Sequence, residues 1–189
     1  MKKILLVLMV LILAFSVLSA CGTKDYGEKP VARLELENGG VIVMELYPDI
    51  APKSVEMFIE NVESGYYDGK VFHRAVKNFM IQGGSSDGKG IGGSGKTVKG
   101  EFSSNGFENN LKHTRGVVSL ARTNDPNSAS GQFFIMHADT ASLDGNYAAF
   151  GKVTEGMEFV DEIANMEVRG TNNDVLVVKP VIKSITMVE

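Results

Sequence analysis

Residues 71–84, which decide the fold, read VFHRAVKNFMIQGG. A run of apolar and β-branched residues closed by glycines predicts a strand from Lys70 to Gln82. The glycine-rich residues 83–100 that follow predict a long loop. The strand carries Arg74, and arginine is always charged and presents a planar fork of donors. An arginine in a strand is usually a solvated surface residue, so this stretch alone leaves its role open.

Short predicted strands dominate the chain from Val31 onward. An Asn38-Gly39-Gly40 turn predicts a hairpin between strands at 31–37 and 41–46. Apolar spacing predicts one helix from Pro52 to about Gly65 and a second that begins near Thr154. Further strands are expected at 116–120, 132–136, 148–153, 175–178 and 181–188. This pattern predicts one mainly β domain, an antiparallel barrel or sandwich with helices covering its ends.

The N-terminus has the features of an export signal. Lys2 and Lys3 precede twelve apolar residues, 4–15 (ILLVLMVLILAF), and Leu-Ser-Ala-Cys follows at 18–21. Twelve helical residues span roughly 18 Å, short of a ~30 Å hydrocarbon core, which favours a cleaved signal over a membrane span. The last four residues resemble the bacterial lipobox, which implies lipidation of Cys21; a buried or free thiol is the alternative. We expect a signal peptide at 1–20, a lipidated cysteine and tether at 21–30, and a domain at 31–189.

Composition excludes several other classes of protein. Nineteen basic residues against twenty-three acidic ones give a net charge of −4, which argues against nucleic-acid binding by phosphate neutralisation. One cysteine rules out an internal disulfide or a cysteine-cluster metal site. His73, His113 and His137 are scattered without matching carboxylates, so no metal is expected, and the last two are interpreted as structural or surface residues. Residues 90–97 match G-x-x-x-x-G-K-[ST] but lack the flanking strand and helix, so no nucleotide is expected.

Residues 71–84 resemble the signature of the cyclophilin family of peptidyl-prolyl isomerases. The resemblance continues, in the family's order, through 116–122 (GVVSLAR), 130–135 (SGQFFI), 143–145 (LDG) and 150–153 (FGKV). It covers about residues 31–189 and implies a closed eight-stranded antiparallel barrel capped by two helices. It also implies catalysed rotation about X–Pro bonds in proline-containing polypeptides, without a cofactor, by a protein that we expect to be a monomer.

The resemblance also assigns roles to individual residues. Arg74 would donate toward the prolyl nitrogen, Gln82 would orient the arginine and the substrate carbonyl, and His73 would contact the substrate. Backbone groups near Ala121 and Arg122 would bind the peptide main chain. The complete set expected to bind substrate comprises Phe79, Met80, Ala121, Arg122, Gln132, Phe134, Leu143 and Tyr147. Two of these depart from the family, which often has asparagine at the position of Arg122 and histidine at that of Tyr147.

Two functions from different classes remain open on the sequence. The first is an extracytoplasmic isomerase, anchored as a lipoprotein to a membrane of a bacterial cell envelope, that assists the folding of exported proteins. The second is a non-catalytic module or chaperone that grips proline-containing segments in the same groove. The presence of Arg74 favours the enzyme, because a pure binder would not need that donor.

Overall fold

The computed structural model describes residues 27–172 and 174–188. The predicted signal peptide and Cys21 therefore lie outside the described residues. Within them, ten strands and two α-helices are formed. The strands are β1 (Val31–Leu36), β2 (Val41–Leu46), β3 (Phe72–Val76), β4 (Met80–Gly83), β5 (Val117–Leu120), β6 (Phe133–Met136), β7 (Ala149–Glu155), β8 (Val168–Arg169), β9 (Val175–Leu176) and β10 (Ile182–Val188). The helices are α1 (Pro52–Glu63) and α2 (Met157–Ala164).

The strands form one antiparallel sheet in the order β10-β1-β2-β7-β5-β6-β4-β3-β9-β8. The predicted number of eight is therefore too low. The single strand expected at 70–82 is two strands, β3 and β4, and the strand β8, which is only two residues long and pairs with the equally short β9 after α2, was not expected. Such short strands leave too few residues for an alternating pattern, so the sequence indicated β9 only as part of 175–178 and gave no sign of β8.

The predicted strand from Lys70 to Gln82 is a hairpin. It folds at residues 77–79, where Asn78 has φ 60° and the Phe79 N–H donates to Val76 O (3.0 Å). Asparagine tolerates this left-handed conformation better than most residues, so a polar pair inside an apolar run supplies a turn. The hairpin pairs Arg74 directly with Gln82, and this pairing builds the site described below.

Both predicted helices form, with shifted ends. Helix α1 starts at Pro52 as predicted, and the buried Glu101 carboxylate caps it from a distant loop by accepting the Lys53 and Ser54 N–H groups (3.0 and 2.8 Å). Helix α2 begins at Met157 rather than near Thr154, because β7 continues to Glu155. Neither helix of the described residues has the length and apolar character needed to cross a bilayer.

Two apolar clusters fill the interior. The larger is centred on aromatic rings from several elements, namely Phe58, Tyr67, Phe72, Phe133 and Phe150. The smaller contains Met80, Val117, Phe134, Met136 and Ala149. Successive residues of a strand face opposite sides, so β6 sends Phe133 into the first cluster and Phe134 into the second. The second cluster extends to partly buried residues, and these surround a surface cavity.

Candidate functional site

An open cavity of about 260 Å³ lies where β3, β4, β5 and β6 meet the loops after β5 and β6. Every site residue predicted from the sequence lines it, except His73 and Gln132. The lining consists of Arg74, Phe79, Met80, Gln82, Ala121, Arg122, Phe134, Leu143 and Tyr147. Residues from four separate segments, spread over more than seventy positions, are therefore brought together. The cavity combines an apolar wall with a cationic side.

The cationic side is Arg74, whose guanidinium is held in place by three neighbours. Its Nε–H donates to Asp174 Oδ2 at 2.8 Å. Its Nη1 donates to Gln82 Oε1 at 3.4 Å and lies 3.8 Å from the Met80 sulfur. Gln82 follows from the hairpin register, but Asp174 is one hundred positions away and no sequence pattern pointed to it.

Gln132 does not line this cavity but contacts Gln82, which does. Its Oε1 accepts a hydrogen bond from Gln82 Nε2 (3.0 Å), and its own Nε2 donates to the carbonyls of Gly90 and Gly92 (3.0 and 2.7 Å). The amide of Gln82 is therefore fixed between Arg74 and Gln132, and the glycine loop is tied to the site. Gln132 also lines a neighbouring cavity of about 360 Å³.

The apolar wall is built around Phe134, which packs edge-on against Tyr147 with ring centroids 5.7 Å apart. His113 stacks behind Phe134 at 6.0 Å and is hydrogen bonded to Asp144 Oδ1 (3.1 Å) and Ser119 Oγ (3.2 Å). Burial lowers the pKa of His113, which outweighs the opposing effect of Asp144 and favours the neutral ring. The sequence indicated His113 as structural or surface; the structure makes it a buried support of the wall.

Arg122 lines both cavities, as Gln82 and Ala121 also do. Its guanidinium lies 4.6 Å from the Tyr147 ring centroid and 5.2 Å from that of Phe102. Its donors are directed at the main-chain carbonyls of Asn146 and Thr123 (2.8–3.1 Å). A cation beside aromatic faces braces both rings, so Arg122 stabilises the Tyr147 wall. Near the backbone groups expected to bind the peptide main chain, the Ala121 N–H donates to Gln132 O (2.9 Å).

His73 does not line either cavity, although the resemblance predicts that it contacts the substrate. Its side chain is buried at the register shift between Phe72 and Arg74, with Nδ1 3.3 Å from Ser85 Oγ. Burial lowers the pKa of His73 to about 4, and the cations Lys179 and Arg74 act in the same direction against the opposing Asp87. The ring is therefore neutral near pH 7 and belongs to the support of the glycine loop.

This depressed pKa predicts a loss of stability in acid. Below pH 6.5 the unfolded chain binds a proton at His73 that the folded chain rejects until about pH 4, so the free energy of unfolding falls with pH across this window. The His73→Asn variant keeps a group that can form a hydrogen bond with Ser85. We expect its free energy of unfolding to fall by about 2 kcal/mol less than that of wild type between pH 7 and pH 4. Urea unfolding at both pH values measures this difference. Equal losses in the two proteins would contradict it.

The segment 90–97 forms part of the loop that lines the neighbouring cavity. Its Lys96 ammonium pairs with Glu60 of α1 at 3.2 Å rather than pointing toward the segment's own glycines. The first helical turn after it is the three-residue 3-10 helix at Ser103–Asn105. The strand–loop–helix context that phosphate binding requires is therefore not formed by residues 83–105.

Comparison with known proteins places the chain in a family. Residues 31–187 match the model of the cyclophilin type peptidyl-prolyl cis-trans isomerase/CLD family. Peptidyl-prolyl cis-trans isomerase B of Bacillus subtilis is 41% identical over 133 residues, which are 70% of this chain and 90% of that protein. Peptidyl-prolyl cis-trans isomerase CYP18-1 of Arabidopsis thaliana is 45% identical over 125 residues, which are 66% of this chain and 76% of that protein.

Some relatives are much longer than this chain. Peptidyl-prolyl cis-trans isomerase-like 2 of Gibberella zeae is 40% identical over 142 residues, which are only 24% of its length. Among solved structures, a Cryptosporidium parvum cyclophilin type isomerase superposes with a TM-score of 0.76 at 29% identity, covering 85% of this chain and 98% of that one. A second crystal structure of that protein, in the presence of the dipeptide ala-pro, gives 0.75 at 30% identity, with coverage of 84% and 99%. The chain belongs to the cyclophilin-type peptidyl-prolyl cis-trans isomerase family.

Proposed function

We propose that this chain catalyses cis–trans rotation about X–Pro peptide bonds, with the proline held in the cavity beside Arg74. One observation carries the proposal: a permanently charged donor stands at the edge of an apolar pocket lined by Phe79, Met80 and Phe134. Two further findings support it. Relatives 40–45% identical are named peptidyl-prolyl isomerases, and a related structure was determined with Ala-Pro.

The chemistry needs a twisted amide to be stabilised. Amide resonance gives X–Pro rotation a barrier of about 18–20 kcal/mol, and no covalent bond is made or broken. A donor near the prolyl nitrogen favours its pyramidal, non-conjugated state, which occurs only as the bond twists. Arg74 supplies this donor, Gln82 orients it, and Phe134 with its neighbours holds the ring while the acyl side rotates.

The lowering of the activation free energy that an isomerase needs is larger than Arg74 alone can supply. A million-fold acceleration requires about 8 kcal/mol, and one preorganised donor contributes about 3–4 kcal/mol. The remainder has to come from binding the twisted peptide more tightly than the planar one and from excluding water at the apolar wall. The Arg122 guanidinium beside Tyr147 and the His113 ring stacked behind Phe134 serve this purpose, because both keep the wall rigid.

A protease-coupled assay on a Xaa-Pro tetrapeptide tests the proposal. The protease cleaves only the trans form, so a catalyst abolishes the slow phase that lasts tens to hundreds of seconds without one. An isomerase accelerates this phase in proportion to its concentration. A module that only binds proline-containing segments leaves the rate unchanged or slows it, and that result would establish the second function instead.

The closed barrel implied by the family is also part of the proposal. Its support is a set of backbone hydrogen bonds between residues 69–72 and 180–182, outside the paired strands. Gly69 N–H donates to Ile182 O (2.9 Å), Ile182 N–H to Lys70 O (2.7 Å) and Phe72 N–H to Pro180 O (2.9 Å). These bonds join the β3 side of the sheet to β10, one of its terminal strands. Slow amide exchange at Gly69, Phe72 and Ile182 is the expected result.

We further propose that the protein is exported and held on a bacterial membrane by lipid on Cys21, where it acts on proline-containing polypeptides as a monomer. The support is sequence alone, namely the apolar block at 4–15 and the Leu-Ser-Ala-Cys that follows it. Acyl chains contribute about 0.8 kcal/mol per buried methylene, so several of them hold a domain durably on a membrane. Light scattering of the domain tests the monomer.

Replacement of the cysteine tests the anchor. We expect Cys21→Ser, expressed in a bacterium, to lose the lipid and to move most of the protein from the membrane fraction to the soluble fraction. Ser19→Ala is the matched control, because it keeps a small residue before the cysteine and should leave the protein on the membrane. Mass spectrometry of the mature N-terminus reads the modification directly. An unmodified N-terminus in wild type would refute the anchor.

A further inference from the structure

Asp174 is the residue that makes the closest polar contact with Arg74. Its Oδ2 accepts the Nε–H at 2.8 Å, shorter than the 3.4 Å bond from Nη1 to Gln82. The Asp174 side chain is 14% exposed, so water competes little for this contact. Arg74 itself is more open, with 35% of its side chain exposed.

Backbone contacts with β3 also hold Asp174 in place. Its carbonyl accepts the Ala75 N–H at 2.9 Å, and the next residue, Val175, pairs with Arg74 in the β3–β9 ladder. The backbone of Asp174 is therefore anchored to β3 next to the arginine. The pairing of the short strand β9 with β3 therefore places the Asp174 carboxylate beside Arg74 Nε.

The hydrogen bonds of the guanidinium show what this contact achieves. Nε is directed at Asp174, and Nη1 at Gln82 and the Met80 sulfur. Among the described residues, Nη2 has no hydrogen-bond partner. Because the guanidinium is planar, fixing two of its three nitrogens also fixes the direction of the third. An arginine side chain held by only one weak hydrogen bond would keep most of its rotamer freedom.

We propose that Asp174 is a positioning residue for catalysis: its carboxylate holds the Arg74 guanidinium so that Nη2 is presented to the substrate. The proposal rests on the proposed isomerase function. The charge of Asp174 offsets part of the positive field of Arg74, so the gain comes from orientation. Fixed geometry matters because misplacing a reacting group by about 1 Å can cost a hundredfold in rate.

Three variants separate orientation from simple structural support. Asp174→Ala removes the acceptor, and we expect kcat on a Xaa-Pro tetrapeptide to fall about tenfold or more with KM within about twofold. Asp174→Asn keeps an acceptor oxygen and should restore kcat to within about threefold of wild type. Glu35→Ala removes a surface carboxylate that pairs with Arg33 and Lys183 on β1 and β10, and it should have no effect.

An NMR readout tests the contact without any assay of activity. The Arg74 Nε–H should exchange slowly with water in wild type and in Asp174→Asn, and rapidly in Asp174→Ala. In an Arg74→Ala background, Asp174→Ala should cause no further loss of kcat, since a residue that acts only through Arg74 has nothing left to position.

Any of the following four results would overturn the proposal. Wild-type kcat in Asp174→Ala would show that the contact has no catalytic effect. Equal losses of kcat in the Ala and Asn variants, with lowered melting temperatures, would show that Asp174 only supports β9. An additional loss in the Arg74→Ala background would show action by another route. An inactive wild type with a protected Nε–H would refute the isomerase function, and the proposal with it, while leaving the contact intact.

Discussion

Arg74→Ala is expected to lower kcat/KM for a Xaa-Pro tetrapeptide by about 10²–10³-fold, the loss typical of removing one preorganised donor from a transition state. The side chain lies at the edge of the cavity, partly exposed, and is bonded to Asp174 and Gln82 rather than packed in the core. The fold should therefore survive, with urea unfolding changed by about 1 kcal/mol or less. The protease-coupled assay measures the rate.

Two matched variants sharpen this result. Arg74→Lys keeps the positive charge but lacks the planar fork, so it is expected to fall between wild type and alanine. Arg33→Ala removes an arginine from β1, where it pairs with Glu35 on the surface, and should retain full activity. Wild-type rates in Arg74→Ala would contradict the account. Loss of activity in Arg33→Ala would mean that the assay reports charge or stability rather than the site.

Phe133 and Phe134 are expected to give opposite phenotypes although they are neighbours on β6. Phe133 is fully buried and packs against Phe58, Tyr67 and Phe72 with ring centroids 5.5–5.9 Å apart. Phe133→Ala should lower the free energy of unfolding by about 3–5 kcal/mol, since truncating a core phenylalanine leaves a cavity. Any folded fraction should keep its catalytic rate, because the site lies on the other face of the strand.

Phe134→Ala, by contrast, removes the centre of the apolar wall. We expect KM to rise about tenfold or more, because the proline ring loses an apolar surface worth about 1.5 kcal/mol or more. Phe133→Leu is the companion for the case in which Phe133→Ala does not fold. It should be destabilised less and should remain fully active. Lost activity in folded Phe133→Leu, or wild-type kinetics in Phe134→Ala, would contradict the assignment of the two faces.

The sequence was informative where a residue type, its spacing and its burial pointed the same way. Alternation from Val31 predicted the first hairpin, and Pro52 marked the true start of α1. The residues for the cavity came from the family resemblance, and the fold brings all but His73 and Gln132 to its lining. The short blocks that carry the resemblance supply these residues, and the fold brings the blocks to one cavity.

What the sequence missed depends on distance along the chain or on a single backbone angle. The turn at Asn78 was hidden in an apolar run, and the hairpin it creates pairs Arg74 with Gln82. Asp174 reaches Arg74 across one hundred positions, and His113 reaches Phe134 across twenty-one. Neither contact has a local pattern, because tertiary folding alone brings these groups together. His73 lies at a register shift of the β3–β4 hairpin, between Phe72 and Arg74, where the alternation of a regular strand does not predict which face a residue takes.

The proposed function requires the Arg74 cavity to catalyse rotation and not merely to bind proline-containing segments. Exchange NMR spectroscopy on a Xaa-Pro tetrapeptide tests it most directly, since it measures cis–trans interconversion and peptide binding in the same sample. With wild type, we expect interconversion many orders of magnitude faster than the uncatalysed rate. With Arg74→Ala at a matched bound fraction, we expect that the peptide still binds while interconversion falls about 10²–10³-fold. Equal interconversion rates in the two samples would contradict the proposed function.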